Sequence, residues 1–319
     1  MKQLKCTLFY KVILCVLCCF MPFLVFAVET VDLDVALQNT YRACVGIDDD
    51  LADLKKMAGI NTAVTAVGTA TGAAAVATGI AKVQTDKEIE EFEIYLQKIE
   101  NAARQQTEEP SVINVKQEQI DALFAKYYKE EVVDDKIEEL NKKSKKLGNW
   151  RTGLMAGTVA TNVTGAIIAG KNKVDSDLLT KIDVCKSSVA VLDSAINQAR
   201  MNGENVGEAQ DILNTCKEYN YVDLTPISKH AKGAMISSLV GTATGVAGTV
   251  TSAVANTDNV RDDDTDAGKQ KEKNLNTSSN VLAGASAAAS ATAVFFNAAQ
   301  ISAIKKVSLV AQKCTEMLK

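Results

Sequence analysis

The sequence predicts an all-α protein made of two tandem antiparallel helical hairpins, an internal duplication in which an antiparallel coiled coil extends the first hairpin. Three observations support this fold class. Four long stretches contain no charged residue and are rich in alanine, glycine, threonine and serine. Cysteines and these stretches follow one another in the same order twice. Within each half, cysteines and glycines lie symmetrically about one turn, as they do in a helical hairpin.

Residues 1–27 have the pattern of a secretory signal. Lys2, Lys5 and Lys11 give a positively charged start, and Val12–Ala27 is an uncharged run that ends in a small residue suited to cleavage. The run is shorter than the roughly 20 residues that a membrane-spanning helix needs. We therefore expect cleavage and export, the alternative being an uncleaved membrane anchor.

Export determines the state of the cysteines. Cleavage removes four of the eight cysteines and leaves Cys44, Cys185, Cys216 and Cys314. In an oxidising compartment four cysteines indicate two disulfides, for which three pairings exist, the alternative being four buried free thiols. The predicted location of this exported protein is the cell envelope, either the periplasm or a membrane-associated position.

The duplication is visible in the order of the segments. The peptide Val-Gly-Thr-Ala-Thr-Gly occurs at Val67–Gly72 and again at Val240–Gly245. The four uncharged stretches are Ala58–Ala81, Thr152–Gly170, Gly233–Asn256 and Leu275–Ile304. In each half, one cysteine precedes a pair of stretches that flank a charged segment, and a second cysteine follows the pair. This order indicates a duplicated domain.

A mirror relation inside each half locates the turns. Gly68 and Gly157 are centred near residue 112, beside the helix-breaking Pro110. Gly245 and Gly284 are centred near residue 264, inside an aspartate-rich loop signal. The cysteines of the two halves share these centres, at about residues 114 and 265. Residues equidistant from the turn of a hairpin lie side by side, so the symmetry selects one cysteine pairing.

We therefore predict the disulfides Cys44–Cys185 and Cys216–Cys314. The corresponding domains are a long helical hairpin over residues 28–200 and a short helical hairpin over residues 201–319. A polar segment that follows Met201 joins them.

The charged middle of the first half, residues 87–147, has the spacing of a coiled coil. Ile89, Phe92, Leu96 and Ile99 alternate in steps of three and four, and glutamates and lysines occupy many of the other positions. The return arm has similar steps. We expect this tip to form a two-stranded antiparallel coil that binds a partner, the alternative being a loose charged linker.

Small residues recur four positions apart within the uncharged stretches, which is glycine-zipper spacing. Residues four apart share a helix face, and small side chains on that face let two helix backbones approach closely. The glycines assigned to helix packing are Gly68, Gly72, Gly153, Gly157, Gly165, Gly241, Gly245 and Gly284. The spacing predicts close helix–helix contact along each stretch.

The uncharged stretches support two interpretations. As membrane-spanning helices they are long enough, Trp150 with Arg151 would form an interfacial anchor, and Lys82, Lys171 and Lys232 would reach from the ends of the stretches into water. As the seam of a soluble hairpin, they would explain the scarcity of Leu, Ile and Phe. We favour the membrane, because Gly and Thr lower helix propensity in water. A β interpretation lacks strict alternation.

Residues with catalytic or ligand-binding chemistry are scarce. His230 is the only histidine, no histidine–cysteine cluster offers zinc ligands, and no serine has a histidine placed to activate it. Asp48–Asp50 and Asp262–Asp264 do not match an EF-hand calcium loop. A net charge of −4 with mixed signs gives no basic footprint for nucleic acid. We expect no enzyme activity, no cofactor, no metal and no nucleic-acid partner.

These observations favour a structural, non-catalytic bacterial envelope protein. Its glycine-zipper hairpins would pack in or against a membrane, with membrane lipid and either further copies of the chain or another envelope protein as partners. One alternative is a soluble periplasmic or secreted helical scaffold or adhesin. Another is a secreted hairpin protein that permeabilises a target membrane.

Overall fold

A computed structural model describes residues 32–108, 130–261 and 265–319. Within these ranges the chain is almost entirely helical and contains no strand, so the predicted all-α class is confirmed. The predicted signal segment and the predicted turn at Pro110 lie outside the described residues.

Five of the described helices are long, with 26 to 62 residues each. In chain order the helices are α1 Leu33–Cys44, α2 Ile47–Glu108, α3 Glu130–Lys171, α4 Ser176–Met201, α5 Gly207–Cys216, α6 Thr225–Ala255, α7 Asp258–Arg261 and α8 Asp266–Met317. A short 3-10 helix, Lys217–Tyr221, follows α5. The long helices α2, α3, α6 and α8 contain the four uncharged stretches.

Local sequence signals set the ends of several helices. Asp32 caps α1, because its carboxylate accepts a hydrogen bond from the backbone N–H of Asp34. Gly46, between α1 and α2, has a φ of +86°, and Gly203, after α4, has a φ of +83°. Glycine adopts this backbone conformation without strain. Pro226 lies in the first turn of α6, where its missing N–H needs no partner.

The chain folds into two compact units. The disulfide unit consists of the described part of Met1–Val45 with Lys181–Asn220 and Lys313–Lys319. The bundle unit consists of Gly46–Thr180 and Tyr221–Gln312. Each unit therefore contains segments from both halves of the sequence, and the units do not coincide with the two hairpin domains expected from the sequence.

The disulfide unit contains the bonds Cys44–Cys185 and Cys216–Cys314, the same pairing that the symmetry of the sequence predicts. Its core is of the ordinary apolar kind. The buried side chains include Ala36, Val189, Leu192, Ile196, Leu213 and Tyr219. The Thr40 hydroxyl also donates a hydrogen bond of 3.2 Å to the backbone carbonyl of Ser188. Crosslinks and apolar packing together hold this unit.

In the bundle unit the four long helices pack side by side, each antiparallel to its neighbours. Between α2 and α3, Asp86 contacts Ser144 and Thr71 contacts Thr158, so residue numbers fall on α3 as they rise on α2. The other neighbouring pairs are joined by Arg151–Ser252 for α3 and α6, Ser286–Gly241 for α6 and α8, and Asn61–Asn297 for α2 and α8. The two halves of the sequence thus share one core.

Both arms of the expected tip are helical where they are described. Helix α2 continues to Glu108 and α3 begins at Glu130. The surface of the return arm carries exposed ion pairs, and a hydrogen bond from Lys142 lowers the pKa of Glu138. The pairing of the two arms as a coiled coil stays a prediction.

Candidate functional site

The inward face of each bundle helix follows steps of three and four residues. In α6 the buried positions are Ile227, Ala231, Ala234, Ser238, Gly241, Gly245, Gly248, Ser252 and Ala255. The same alternation runs along the bundle parts of α2, α3 and α8. Because it averages 3.5 residues, it keeps one face of a gently supercoiled helix toward its neighbours over the whole bundle.

Small and polar side chains fill this inward face, which we call the polar seam. Its buried polar residues include Asn61, Thr65, Thr158, Asn162, Ser238, Ser252, Ser279, Ser286, Ser290, Asn297 and Gln300. Nδ2 of Asn61 donates to Oδ1 of Asn297 at 2.9 Å, and the Ser286 hydroxyl donates to the carbonyl of Gly241 at 2.7 Å. Hydrogen bonds between helices therefore run along the inside of the bundle.

One apolar layer interrupts the polar seam. Ala75, Met155 and Ala283 are buried together, with Val76 and Leu154 packed against them. This layer divides the seam into two polar halves, one of which lies toward the tip.

Within the four uncharged stretches, most large apolar side chains are exposed or partly exposed instead, with Met155 and Ile304 as buried exceptions. Exposed examples are Ile60, Val67, Ile80, Val163, Ile167, Ile236, Leu239, Val240, Val246, Val250, Val254, Val281 and Phe295. Between Ile236 and Val254 every exposed residue of α6 is Ala, Val, Ile or Leu. A helix of a water-soluble protein has the opposite distribution. Four helices are also long and apolar enough to cross a membrane.

Five glycines assigned to packing lie against a neighbouring helix. They are Gly68, Gly72, Gly165, Gly241 and Gly245. The contact at Gly72 involves backbone, since an added Cβ would lie 2.8 Å from the Cβ and 3.1 Å from the Cα of Ala287. A larger residue at Gly72 therefore requires that α2 and α8 move apart.

The other three assigned glycines do not pack against anything. An added Cβ at Gly153, Gly157 or Gly284 would meet nothing within 4 Å, so their assignment to helix packing is wrong. Successive residues lie 100° apart on a helix, so each step of four turns about 40° beyond a full circle and a run of such steps leaves the inward face. Gly79 and Gly248, which the four-residue spacing misses, lie on the polar seam.

A buried lysine organises the tip end of the seam. Lys82 is 0% exposed, and its Nζ donates to Asp86 at 2.8 Å and to Glu272 at 2.9 Å. The second carboxylate oxygen of Asp86 accepts a hydrogen bond from Ser144. The expectation that Lys82 reaches into water is therefore wrong, because two carboxylates hold its ammonium inside the bundle.

A buried arginine lies beside this lysine. Arg151 is 0% exposed and donates from Nε to Ser252 at 2.9 Å, from Nη1 to Asn280 at 3.2 Å and from Nη2 to Asn276 at 2.8 Å. An interfacial role for Arg151 is therefore wrong, because its guanidinium is held by α6 and α8. Its neighbour Trp150 is 61% exposed, as an interfacial residue would be.

These residues form one network, which we call the charge cluster. Its members are Lys82, Asp86, Ser144, Arg151, Ser252, Glu272, Asn276 and Asn280. Asn276 joins the two cations, since its amide donates to Glu272 at 3.3 Å and its oxygen accepts from Arg151. The two positive charges of Lys82 and Arg151 equal the two negative charges of Asp86 and Glu272, and hydrogen bonds link the four side chains. Because the N–H groups of Lys82 and Arg151 donate to side chains on other helices, the cluster is suited to fixing the register of the helices.

The half of the polar seam away from the charge cluster contains buried oxygen atoms without a protein partner. They are Oδ1 of Asn61, Oδ1 of Asn172, Oγ of Ser238 and Oε1 of Gln300. Buried atoms of this kind are normally satisfied by ordered water. This half of the seam can therefore accommodate water between the helices.

Groups suited to metal binding or acid–base chemistry do not converge in the described ranges. No set of three or more His, Cys, Asp or Glu side chains there could hold a metal ion. The ring of His230 lies 6.2 Å from that of Phe296. Asp48–Asp50 occupy the first turn of α2, where carboxylates are stabilised by the helix dipole. Asp262–Asp264 lie outside the described residues.

No protein-family model, curated protein or solved structure matches this chain. The polar seam, the charge cluster and the apolar exterior are therefore the features from which a function can be inferred.

We expect Gly72→Ala to destabilise the bundle and Gly157→Ala to leave it intact or more stable. The first change forces α2 away from the backbone of α8, which costs on the order of 1–3 kcal/mol. The second fills open space and gains about 1 kcal/mol of helix propensity. Thermal unfolding of the two purified variants measures the difference. Equal destabilisation would mean that the inward face has been assigned wrongly.

We expect Lys82→Met to destabilise the bundle much more than Lys87→Met. Removal of the Lys82 ammonium leaves Asp86 and Glu272 facing each other, and the loss is about 3 kcal/mol because these side chains are 30% and 20% exposed rather than fully buried. Lys87 is exposed, and its replacement makes the same charge change. Chemical denaturation compares the two. A loss at Lys82 no larger than at Lys87 would contradict a stabilising charge cluster.

Proposed function

We propose that this protein is a structural, non-catalytic protein of a bacterial envelope whose four-helix bundle spans a membrane. The observation that carries the proposal is the distribution of side chains along the four uncharged stretches, where amides and hydroxyls lie inside and most Val, Ile, Leu and Phe side chains are exposed or partly exposed. Two cations are buried at the tip end of these stretches. Water would make that distribution unfavourable, since burial of apolar surface is the main driving force of folding. Lipid makes it favourable.

The length of the apolar exterior supports this proposal. The shortest uncharged stretch, Thr152–Gly170, has 19 residues and is about 28 Å long as a helix. The hydrocarbon core of a bilayer is about 30 Å thick. The exposed ring of Trp150 borders this stretch at a position suited to the membrane–water interface.

Membrane insertion also accounts for the polar seam. Helices in lipid gain little from burying apolar surface against one another, so small residues and interhelical hydrogen bonds drive their association. Gly72 against Ala287 and Ser286 against Gly241 are contacts of this type. We propose that these contacts act as a glycine zipper, with Ser286 and Gly241 inside the α6–α8 hairpin and Gly72 and Ala287 between that hairpin and the α2–α3 hairpin.

The disulfides suggest an orientation for such a bundle. Disulfides form in an oxidising compartment, so the segments that carry the cysteines would lie on the exported side. Because the helices are antiparallel, the ends of the bundle helices from which the chain continues toward the cysteines lie at one end of the bundle unit. The described arms of the tip, the end of α6 and the start of α8 lie at its opposite end. In a membrane-spanning bundle they would reach the other side of the bilayer.

We further propose that the tip is a coiled coil that recruits a protein partner. Both of its described arms are helical, and Asp86 and Ser144 join them at the base. The second half of the chain has no equivalent extension, since α6 ends at Ala255 and α8 begins at Asp266. The tip is thus an addition to a bundle that is otherwise complete.

Fractionation of the native cells tests membrane insertion. We expect the protein to remain in membranes after carbonate extraction, and its tip to be protected from protease added to intact spheroplasts but cleaved in inverted inner-membrane vesicles. A membrane-anchored protein with a periplasmic domain is the control, because protease should cleave that domain in spheroplasts and not in inverted vesicles. Release by carbonate would support the soluble scaffold instead. Leakage of dye from liposomes on addition of the purified chain would support the permeabilising alternative.

Equal shortening of both tip arms tests the role of the tip. Deletion of residues 88–108 together with 122–142 removes about three heptads from each arm and keeps Asp86, Ser144 and the turn segment. We expect the shortened protein to form both disulfides and fractionate as the parent does, because the cysteines, polar seam and charge cluster are retained. It should lose the crosslinked partner of the parent. Retention of every crosslinked partner would show that the tip has another role.

A further inference from the structure

One end of the bundle carries a ring of exposed lysines, which we call the lysine belt. Two of them lie near that end of each long bundle helix that faces away from the tip, either on the helix or, for Lys173, just after it. They are Lys55 and Lys56, Lys171 and Lys173, Lys229 and Lys232, and Lys305 and Lys306. All eight side chains are exposed and all belong to the bundle unit.

The contacts inside the bundle put these lysines at one level. Asn172 accepts a hydrogen bond on its carbonyl from Gln300, and Asn61 pairs with Asn297 one helical turn further in. Lys171 is adjacent to Asn172, while Lys56 and Lys305 each lie five residues beyond Asn61 and Gln300. Five residues of helix span about 8 Å. The belt lysines of α2, α3 and α8 therefore lie within about 10 Å of one another along the bundle, and those of α6 come directly before its uncharged stretch.

The lysine belt has no ion-pair partner in the described chain. Toward the other end some lysines are engaged, since Lys82 is held in the charge cluster and Lys145 pairs with Asp258 at 3.1 Å. Along the chain, Asp53 and Asp175 lie farther from the uncharged stretches than Lys56 and Lys171 do. On α2 and at the end of α3, lysines therefore come between these aspartates and the apolar surface.

We propose that the lysine belt binds the phosphate headgroups of anionic phospholipids. This inference rests on the proposed membrane insertion and adds the lipid class that the bundle prefers. Lysine stems can lie along the apolar helix surface while their ammonium groups reach the headgroup level. In the proposed orientation the belt lies on the exported side, so its eight ammonium groups would meet the phosphates of anionic lipids in that leaflet, and each basic residue near an anionic surface contributes to binding.

Four substitutions, one on each helix, provide the test. The belt variant combines Lys56→Gln, Lys171→Gln, Lys232→Gln and Lys305→Gln. The control variant makes the same charge change toward the tip, with Lys87→Gln, Lys143→Gln, Lys146→Gln and Lys271→Gln, all exposed positions. Helical circular dichroism and both disulfides verify that each full-length variant has folded. Flotation then measures partition into vesicles of phosphatidylcholine alone or of phosphatidylcholine mixed equally with phosphatidylglycerol.

We expect the wild-type chain and the control variant to prefer the anionic vesicles by on the order of tenfold, with a preference that salt weakens. The belt variant keeps four of the eight lysines and should show a clearly smaller preference than the wild type does. A preference retained in full by the belt variant, or reduced equally in the control variant, overturns the lipid assignment. Equal binding of the wild type to both vesicles overturns it too, while membrane insertion stands. Failure of the wild type to enter either vesicle overturns both proposals.

Discussion

The bundle depends on how closely its helices approach one another. At Gly72 the backbone of α2 lies so near Ala287 that no side chain fits between them. The same closeness brings backbone carbonyls within reach of hydroxyls on the next helix, as at Ser286 and Gly241. Small residues and interhelical hydrogen bonds are therefore two results of one geometry. Such a core buries little large apolar area, so the apolar area that remains outside must find its own favourable surroundings.

The charge cluster follows from the same constraint. A cation enclosed between closely packed helices is not hydrated. Transfer of a charge out of water costs free energy unless hydrogen-bonding or oppositely charged groups replace the water. Lys82 meets two carboxylates and Arg151 meets three neutral oxygen atoms, so each has that replacement. Gly79 gives the space, since an added Cβ there would collide with Asn280. Close packing and charge compensation thus meet at the same level of the bundle.

Features that depend on the symmetry of the sequence could be predicted. Features that depend on the angular position of a residue around its helix, or on contacts between residues far apart in the sequence, could not. The cysteine pairing follows from a mirror relation that helical pairing preserves. Gly153 and Gly157 were misassigned because a four-residue step drifts around the helix, whereas the alternation of three and four that includes Gly248 does not. The partner of Lys82 on another helix, Glu272, could not be predicted, because it lies 190 residues away in the sequence. Asparagines at the three- and four-residue steps of the inward face, such as Asn162, are the sequence feature from which the polar seam could have been predicted.

The distribution of partners across the duplication has an evolutionary consequence. The three residues that hold Arg151, and one of the two carboxylates that hold Lys82, come from the second half of the chain. A precursor with only the first half would have kept both cations and lost most of what compensates them. If the predicted duplication took place, a single-hairpin ancestor with this interior had to exist as a homodimer, with a twofold axis along the present bundle. The present chain would then be a fused dimer whose halves have been free to diverge.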